Sequence, residues 1–374
     1  MPGPEARKKK ILFILDWSLT SPSAMVRAVQ YRQLLKKRED CSAVFVSHRS
    51  PFLAWVAAIA SRMGARPYML NLIHRFSAAM VGYREMRIVN MAKKFDIVYV
   101  VKVPSLQLYR KLTGLKGPRV YMDLNDGLWL PHHKASGWGD LEKMLPLAYG
   151  VICENRYVAD YARKYKEKVF IVHDPPQVEV FDKWRSRVKR RPEQVTIGWI
   201  GTASSCDALY SIWEPLEWLF AKHSHLHLRI VGAHPTKVPR FEKVRYSIRR
   251  SYNQNQMAQE VLAMDIGIFP LFDVEDALVR GTLKAMIYMS GEAVAVCSDL
   301  GENRDLIRDG VNGMLARNHE EWFAKLDKLA QDGEMRRRIG AGGLATIRKE
   351  YTRERCLEQL LEALQEESRI LVHA

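Results

Sequence analysis

Short apolar runs alternate with longer amphipathic stretches along this chain. KKILFILD (9–16), CSAVFVS (41–47), DIVYVVK (96–102), PRVYMDLND (118–126) and KVFIVHDPP (168–176) are rich in β-branched and aromatic residues, and their spacing predicts strands. MVRAVQYRQLLKKRE, the mixed basic and apolar stretch 69–95 and PSLQLYRKLTG repeat apolar residues at helical spacing. LEKMLPLAYGVICENRYVADYARKY reads as helix, strand and helix. The alternation resumes with VTIGWIG (195–201), LHLRIVG (226–232), DIGIFPL (265–271) and AVAVCS (293–298) as strands, and VRYSIRRSY (244–252) as an edge strand or loop. Helices are predicted over SIWEPLEWLFAKH, NQMAQEVLAM and GTLKAMIYMSG, over a pair broken near Gly333, and over 352–368. Strands apolar on both faces that alternate with helices predict parallel, doubly wound sheets. Residues 177–194 are polar, strongly basic and without apolar period. They are the expected linker between an N-terminal domain (1–176) and a C-terminal domain (195–351).

Composition changes this picture in three ways. The five cysteines are scattered, without metal-ligand spacing, which argues against a disulfide framework or a zinc site. The basic run at the N-terminus precedes an apolar run, ILFIL, that ends at Asp16; it reads as a first strand rather than a signal peptide. No uncharged apolar run reaches the length of a membrane span, so no transmembrane helix is expected, and the scattered cysteines suit a reducing, cytoplasmic compartment. The net charge of +16 is lopsided: residues 1–175 hold 29 Lys/Arg against 14 Asp/Glu (+15), and residues 176–374 hold 29 against 28 (+1). Such a half implies an anionic partner: lipid headgroups, a phosphorylated acceptor or nucleic acid. No nucleic-acid reader motif or aromatic platform is present, which ranks nucleic acid last. PFLAWVAAIASRMG (51–64) and the basic residues after it suit either a core helix or a helix lying in a bilayer interface on the cytoplasmic face.

The stretch from Asp265 to Ala316 gathers the candidate chemistry. It reads as strand, charged loop, helix, strand, loop, helix and turn. A loop followed by a helix N-terminus is the usual place for a phosphate. Arg280 and Lys284 sit at that junction four residues apart, so on one helix both face the same way. They can neutralise the phosphates of a departing nucleoside diphosphate. Gly201 and Thr202 close the strand VTIGWIG, where backbone N–H groups can approach a phosphate. Asp123 and Asp126 close the strand 118–126, where an acceptor hydroxyl could meet a base.

These segments in combination resemble a known family. IGWIG with Thr202, DIGIFPL followed by Asp273, Arg280, Lys284 and YMSG, and LGENRDLIRDGVNGMLA are similar to the donor-domain motifs of family 4-type glycosyltransferases, the glycosyl transferases group 1. SAMVRAVQYRQLL and YMDLNDGLW resemble that family's N-terminal motifs more loosely. The resemblance implies an α/β protein of the GT-B fold: two Rossmann-like doubly wound parallel-sheet domains facing across a cleft, with residues 352–374 crossing back to the N-domain. It implies a nucleotide-sugar donor on the C-domain and a polysaccharide, lipopolysaccharide or lipid-linked acceptor on the N-domain. Retention of configuration goes with it, and no metal or cofactor is required.

By this resemblance Glu302 and Asn303 lie against the diphosphate, Asp273 joins the donor site, and His132 lines the donor sugar with His133 beside it. Arg27 reaches either an anionic acceptor or the donor phosphate. The chain also departs from the pattern. Val279 and Ile287 stand where many members carry two glutamates, and no basic pair follows Gly201. Serines 21 and 23 replace glycines, and Glu292 replaces a small residue. A catalytically weakened GT-B protein acting as a binding or scaffolding module is the competing expectation.

Overall fold

A computed structural model describes residues 7–16, 19, 21–49, 67–134, 136–202 and 205–365, the side chains of residues 22 and 67–78 excepted. The candidate membrane-interface stretch 51–64 and the last residues of the expected terminal helix lie outside this set. The chain forms two compact units. One comprises residues 1–173 with 357–374, and the other residues 174–356.

Each unit is built on a six-stranded, wholly parallel sheet. In the first, β1 (Lys9–Leu15), β2 (Cys41–Ser47), β3 (Ile97–Val101), β4 (Arg119–Leu124), β5 (Gly150–Cys153) and β6 (Val169–Ile171) stand in the order β2-β1-β3-β4-β5-β6. In the second, β7 (Val195–Ile200), β8 (Leu226–Val231), β9 (Tyr246–Arg249), β10 (Ile266–Phe269), β11 (Val294–Ser298) and β12 (Met314–Ala316) stand in the order β12-β11-β10-β7-β8-β9. Strands β3, β7, β10 and β11 are buried at every position. Helices therefore cover both faces of these sheets, which is why the strands read as unbroken apolar runs rather than alternating ones. In the second unit the two faces are two separate cores, one around Trp199, Leu216 and Leu326 and one around Phe181, Tyr288 and Ile347.

Two readings change. Residues 177–194 are not a free linker. Val178–Arg185 is a helix whose Val178 and Phe181 enter the core of the second unit. Arg185 donates to the Ser290 carbonyl at 2.8 Å, and Arg190 donates to the Leu262, Gly291 and Glu292 carbonyls. The unexpected Glu292 belongs to this attachment: its carboxylate accepts from Arg185 at 2.8 Å, although its backbone has φ +57°. The turn at DGVNG continues into a sixth strand, β12, too short to show in the pattern. The last helix, Arg353–Gln365, spans the division between the units, passing from the second to the first at Leu357.

Candidate functional site

In an open parallel sheet, ligands collect outside the carboxyl ends of the strands where the strand order reverses. In the second unit that point lies between β7 and β10. The two strands pair only at Ile266–Ile197 and Gly267–Gly198 and then part. Tyr288 fills the opening: its phenol accepts from the Ile200 amide at 2.8 Å and donates to the Ile268 carbonyl at 3.1 Å. Gly267 makes room for the ring, since a Cβ there would come within 2.1 Å of it.

Lys284 stands above this opening, in the first turn of the helix Leu283–Ser290. Its ammonium lies over the rings of Trp199, at 5.0 Å from the centroid, and Phe269, at 5.4 Å, one from the end of each parting strand. Desolvation by these surroundings, and then the charge of Arg280, lower its pKa to about 8. The ammonium donates to Ser205 Oγ at 3.1 Å. That oxygen also accepts from the Thr202 amide at 3.1 Å. The turn after β7 and the start of the helix thus meet at one serine. Gly201 has no space for a side chain: a Cβ would lie 2.4 Å from Trp199 and 2.7 Å from Ser205 Oγ.

Arg280 shares this neighbourhood but not the helix. The short helix Glu275–Leu278 ends at Val279, and a new helix begins at Leu283. The expectation that helical spacing aligns Arg280 with Lys284 is therefore corrected. Arg280 is 44% exposed and paired with Asp276. The helix start is also less open to an anion than its sequence suggests, because Glu302 Oε2 accepts the Thr282 amide at 3.0 Å. Glu302 and Asn303 are buried, and Asn303 donates to the Ser298 carbonyl at 2.9 Å, so both brace the site from beneath. The Gly201 amide is likewise engaged, donating to Val231 at 3.0 Å. Asp273 is exposed and lines a different cavity of about 590 Å³, with Phe272, Asp299 and Arg317 but without Lys284. Val279 is buried, and Ile287 packs against the core.

In the first unit the strand order reverses between β1 and β3. Asp16 follows β1 and Lys102 follows β3. Both line a cavity of about 320 Å³ together with Ser21, Ser23, Arg49 and His133. Lys102 pairs with Asp126, which follows β4. Both residues have left-handed backbones, φ +55° and +59°, which costs a non-glycine residue about 1 kcal/mol each. The two strained residues are joined to each other at the ends of adjacent strands. The Asp126 amide is fixed by Glu154, at 2.9 Å. His132 and His133 are neighbours on the short helix Pro131–Lys134, their rings 4.2 Å apart, but only His133 lines the cavity.

Arg27 and Asp123 are not ligand contacts. Arg27 Nε donates to Asp123 Oδ2 at 2.8 Å, and its Nη1 donates to the Val172 carbonyl at 2.8 Å. Their side chains are 2% and 0% exposed, and the Tyr99 hydroxyl donates to the same carboxylate. This is a closed, buried ion pair holding three parts of the first unit together. Among the described residues no cluster of His, Cys, Asp or Glu could hold a metal ion.

Residues 194–332 match the family Glycosyl transferases group 1, a range that takes in Gly201, Ser205, Tyr288, Lys284 and Glu302. The match lies wholly within the second unit and covers 139 of the chain's 374 residues. A sequence comparison with curated proteins finds no match. Solved structures are similar in fold. HepE of Anabaena in complex with UDP-glucose is 14% identical, at a TM-score of 0.65, over 95% of this chain and 99% of that one. A glycosyltransferase of Rickettsia africae is 13% identical, at 0.67, over 97% and 100%. A UDP-forming α,α-trehalose-phosphate synthase of Burkholderia xenovorans is 13% identical, at 0.63, over 96% and 99%. At such identities the likeness speaks for the GT-B fold, as the strand orders already did.

Sequence reasoning missed five contributors to the two strand-end sites: Ser205, Tyr288, Asp16, Lys102 and Arg49. Lys102 and Arg49 could have been found as charges directly after strand runs. Ser205 and Tyr288 carry no local signal, for each acts on residues more than 70 positions away.

Proposed function

We propose that the protein is a glycosyltransferase that takes its sugar from a nucleotide-sugar donor, whose diphosphate is held at Lys284 above the β7–β10 opening. Arg280, freed from Asp276 or sharing it, adds a second cation as the leaving group gains charge. The observation that carries this reading is Lys284 itself. A desolvated ammonium with a single hydrogen bond among the described residues, at the strand-order reversal of a parallel sheet, is an unfinished site for an anion. The neighbours crystallised with UDP and UDP-glucose support the same donor class. Transfer proceeds with retention and without a required metal or cofactor, to a polysaccharide, lipopolysaccharide or lipid-linked acceptor. That acceptor enters the first-unit cavity at Asp16, Lys102 and His133, where Asp126 orients Lys102.

The basic charge of residues 1–175 supports a peripheral contact with anionic membrane on the cytoplasmic face, and no described helix is long and apolar enough to cross one. The test is release of free nucleoside diphosphate from a panel of sugar nucleotides. Neither turnover nor binding with any donor would sink the reading. A second reading, a binding or scaffolding module without turnover, is favoured by buried Val279 and by Ile287 in place of carboxylates. Donor binding without diphosphate release would establish it.

A further inference from the structure

Two hydrogen-bond donors from different parts of the second unit converge on a single oxygen. The Thr202 amide comes from the turn after β7 and the Lys284 ammonium from the helix Leu283–Ser290. Each lies 3.1 Å from Ser205 Oγ. The hydroxyl has one proton of its own, which goes to the Thr202 carbonyl at 3.1 Å or to Thr202 Oγ1 at 3.3 Å. Its bonding is then saturated. An oxygen that accepts from one backbone N–H and one ammonium has the surroundings of a phosphate oxygen at a loop-and-lysine site. The hydroxyl rests against Gly201, where even a Cβ would press on it at 2.7 Å. Thr202 is exposed, so a ligand can reach this point from solvent.

We propose that the Ser205 hydroxyl is an internal stand-in for a phosphate oxygen of the donor, and that donor binding displaces it. This rests on the nucleotide-sugar reading above. In the free protein the Ser205 hydroxyl accepts from both donors at once. A phosphate oxygen is charged and makes the stronger bond to both, so it wins the exchange. The hydroxyl returns when the diphosphate leaves. Ser205 thereby weakens donor and product binding equally, and its hydroxyl competes with the leaving group for the same two donors.

The test is calorimetric titration of the full chain at pH 7 with UDP, GDP, ADP and inorganic pyrophosphate, on wild type, S205A and S205T. S205A removes the competitor and is expected to bind the probes roughly three- to tenfold more tightly, the worth of about one ordinary hydrogen bond. S205T keeps a hydroxyl and is expected to match wild type. Weaker or unchanged binding by S205A overturns the proposal, since the hydroxyl would then be a ligand contact or a bystander. If S205A does not fold, S205C supplies the same comparison, its thiol being a poorer acceptor that must also tighten binding. Pyrophosphate binding without binding of any nucleotide would refute the nucleotide-sugar reading while leaving the Ser205 comparison decisive. Binding of no probe by wild type would overturn both.

Discussion

Lys284 is expected to weaken the fold it serves. Its pKa falls from an ordinary 10.5 to about 8, a drop of about 2.5 pH units. At 1.36 kcal/mol for each, keeping the ammonium charged in the folded protein costs up to about 3 kcal/mol. The unfolded chain holds this proton more tightly than the folded one. The cost is therefore complete below pH 8 and declines as the pH rises from about 8 to 10.5, where both states are neutral. Replacing Lys284 by methionine keeps the aliphatic stem between Trp199 and Phe269 and removes the charge. K284M should be about 1–3 kcal/mol more stable than wild type at pH 7, after loss of the Ser205 hydrogen bond and the ring contacts is set against the gain. The same variant should lose UDP binding. Guanidinium denaturation of both proteins at pH 7 and pH 10 reads the effect as a difference, which cancels every other titrating group. A K284M protein no more stable than wild type at pH 7, or an advantage that does not shrink at pH 10, would refute the argument that desolvation governs this site.

Three further outcomes follow from the geometry. UDP affinity should be level below pH 8 and fall about tenfold for each pH unit well above it, because the bound state needs a protonated Lys284; titration calorimetry across pH 7–10 checks it. Asp123→Asn leaves Arg27 buried beside half a partner and should cost about 3–5 kcal/mol in chemical denaturation, with the UDP affinity of the folded fraction unchanged. Asp126→Gly relieves the left-handed backbone while losing an exposed ion pair, so stability should stay within about 1 kcal/mol of wild type. A parallel assay of glycoside formation and free-sugar release should then show transfer to the acceptor reduced while donor hydrolysis persists.

The strands were legible because sheets covered on both faces demand continuous apolar runs. β12 escaped because three residues at a sheet edge carry no period. The helix Val178–Arg185 escaped because only Val178 and Phe181 are buried in it, among charges that look like solvated linker. Site residues divided along a different line. Lys284 was visible as a cation beside a strand and a glycine turn. The separation of Arg280 from its helix was not visible, because it depends on a break at Gly281 and Thr282 fixed by Glu302, twenty residues on. Arg27 and Asp123 looked functional because charges are normally exposed and useful. Their mutual burial across 96 positions is a fact of tertiary structure that neither local sequence contains.

The Tyr288 hydroxyl takes the place of a missing rung in the second sheet, linking the Ile200 amide to the Ile268 carbonyl. A ladder of backbone hydrogen bonds sets the spacing between neighbouring strands to one value that no substitution can alter. Here the spacing at the mouth is set by the length of a phenol, and the same side chain belongs to the helix that carries Lys284. The aperture and the ammonium are thus calibrated by one adjustable part. A protein built this way can change the gauge of its anion seat through a single position, leaving the sheet beneath it untouched.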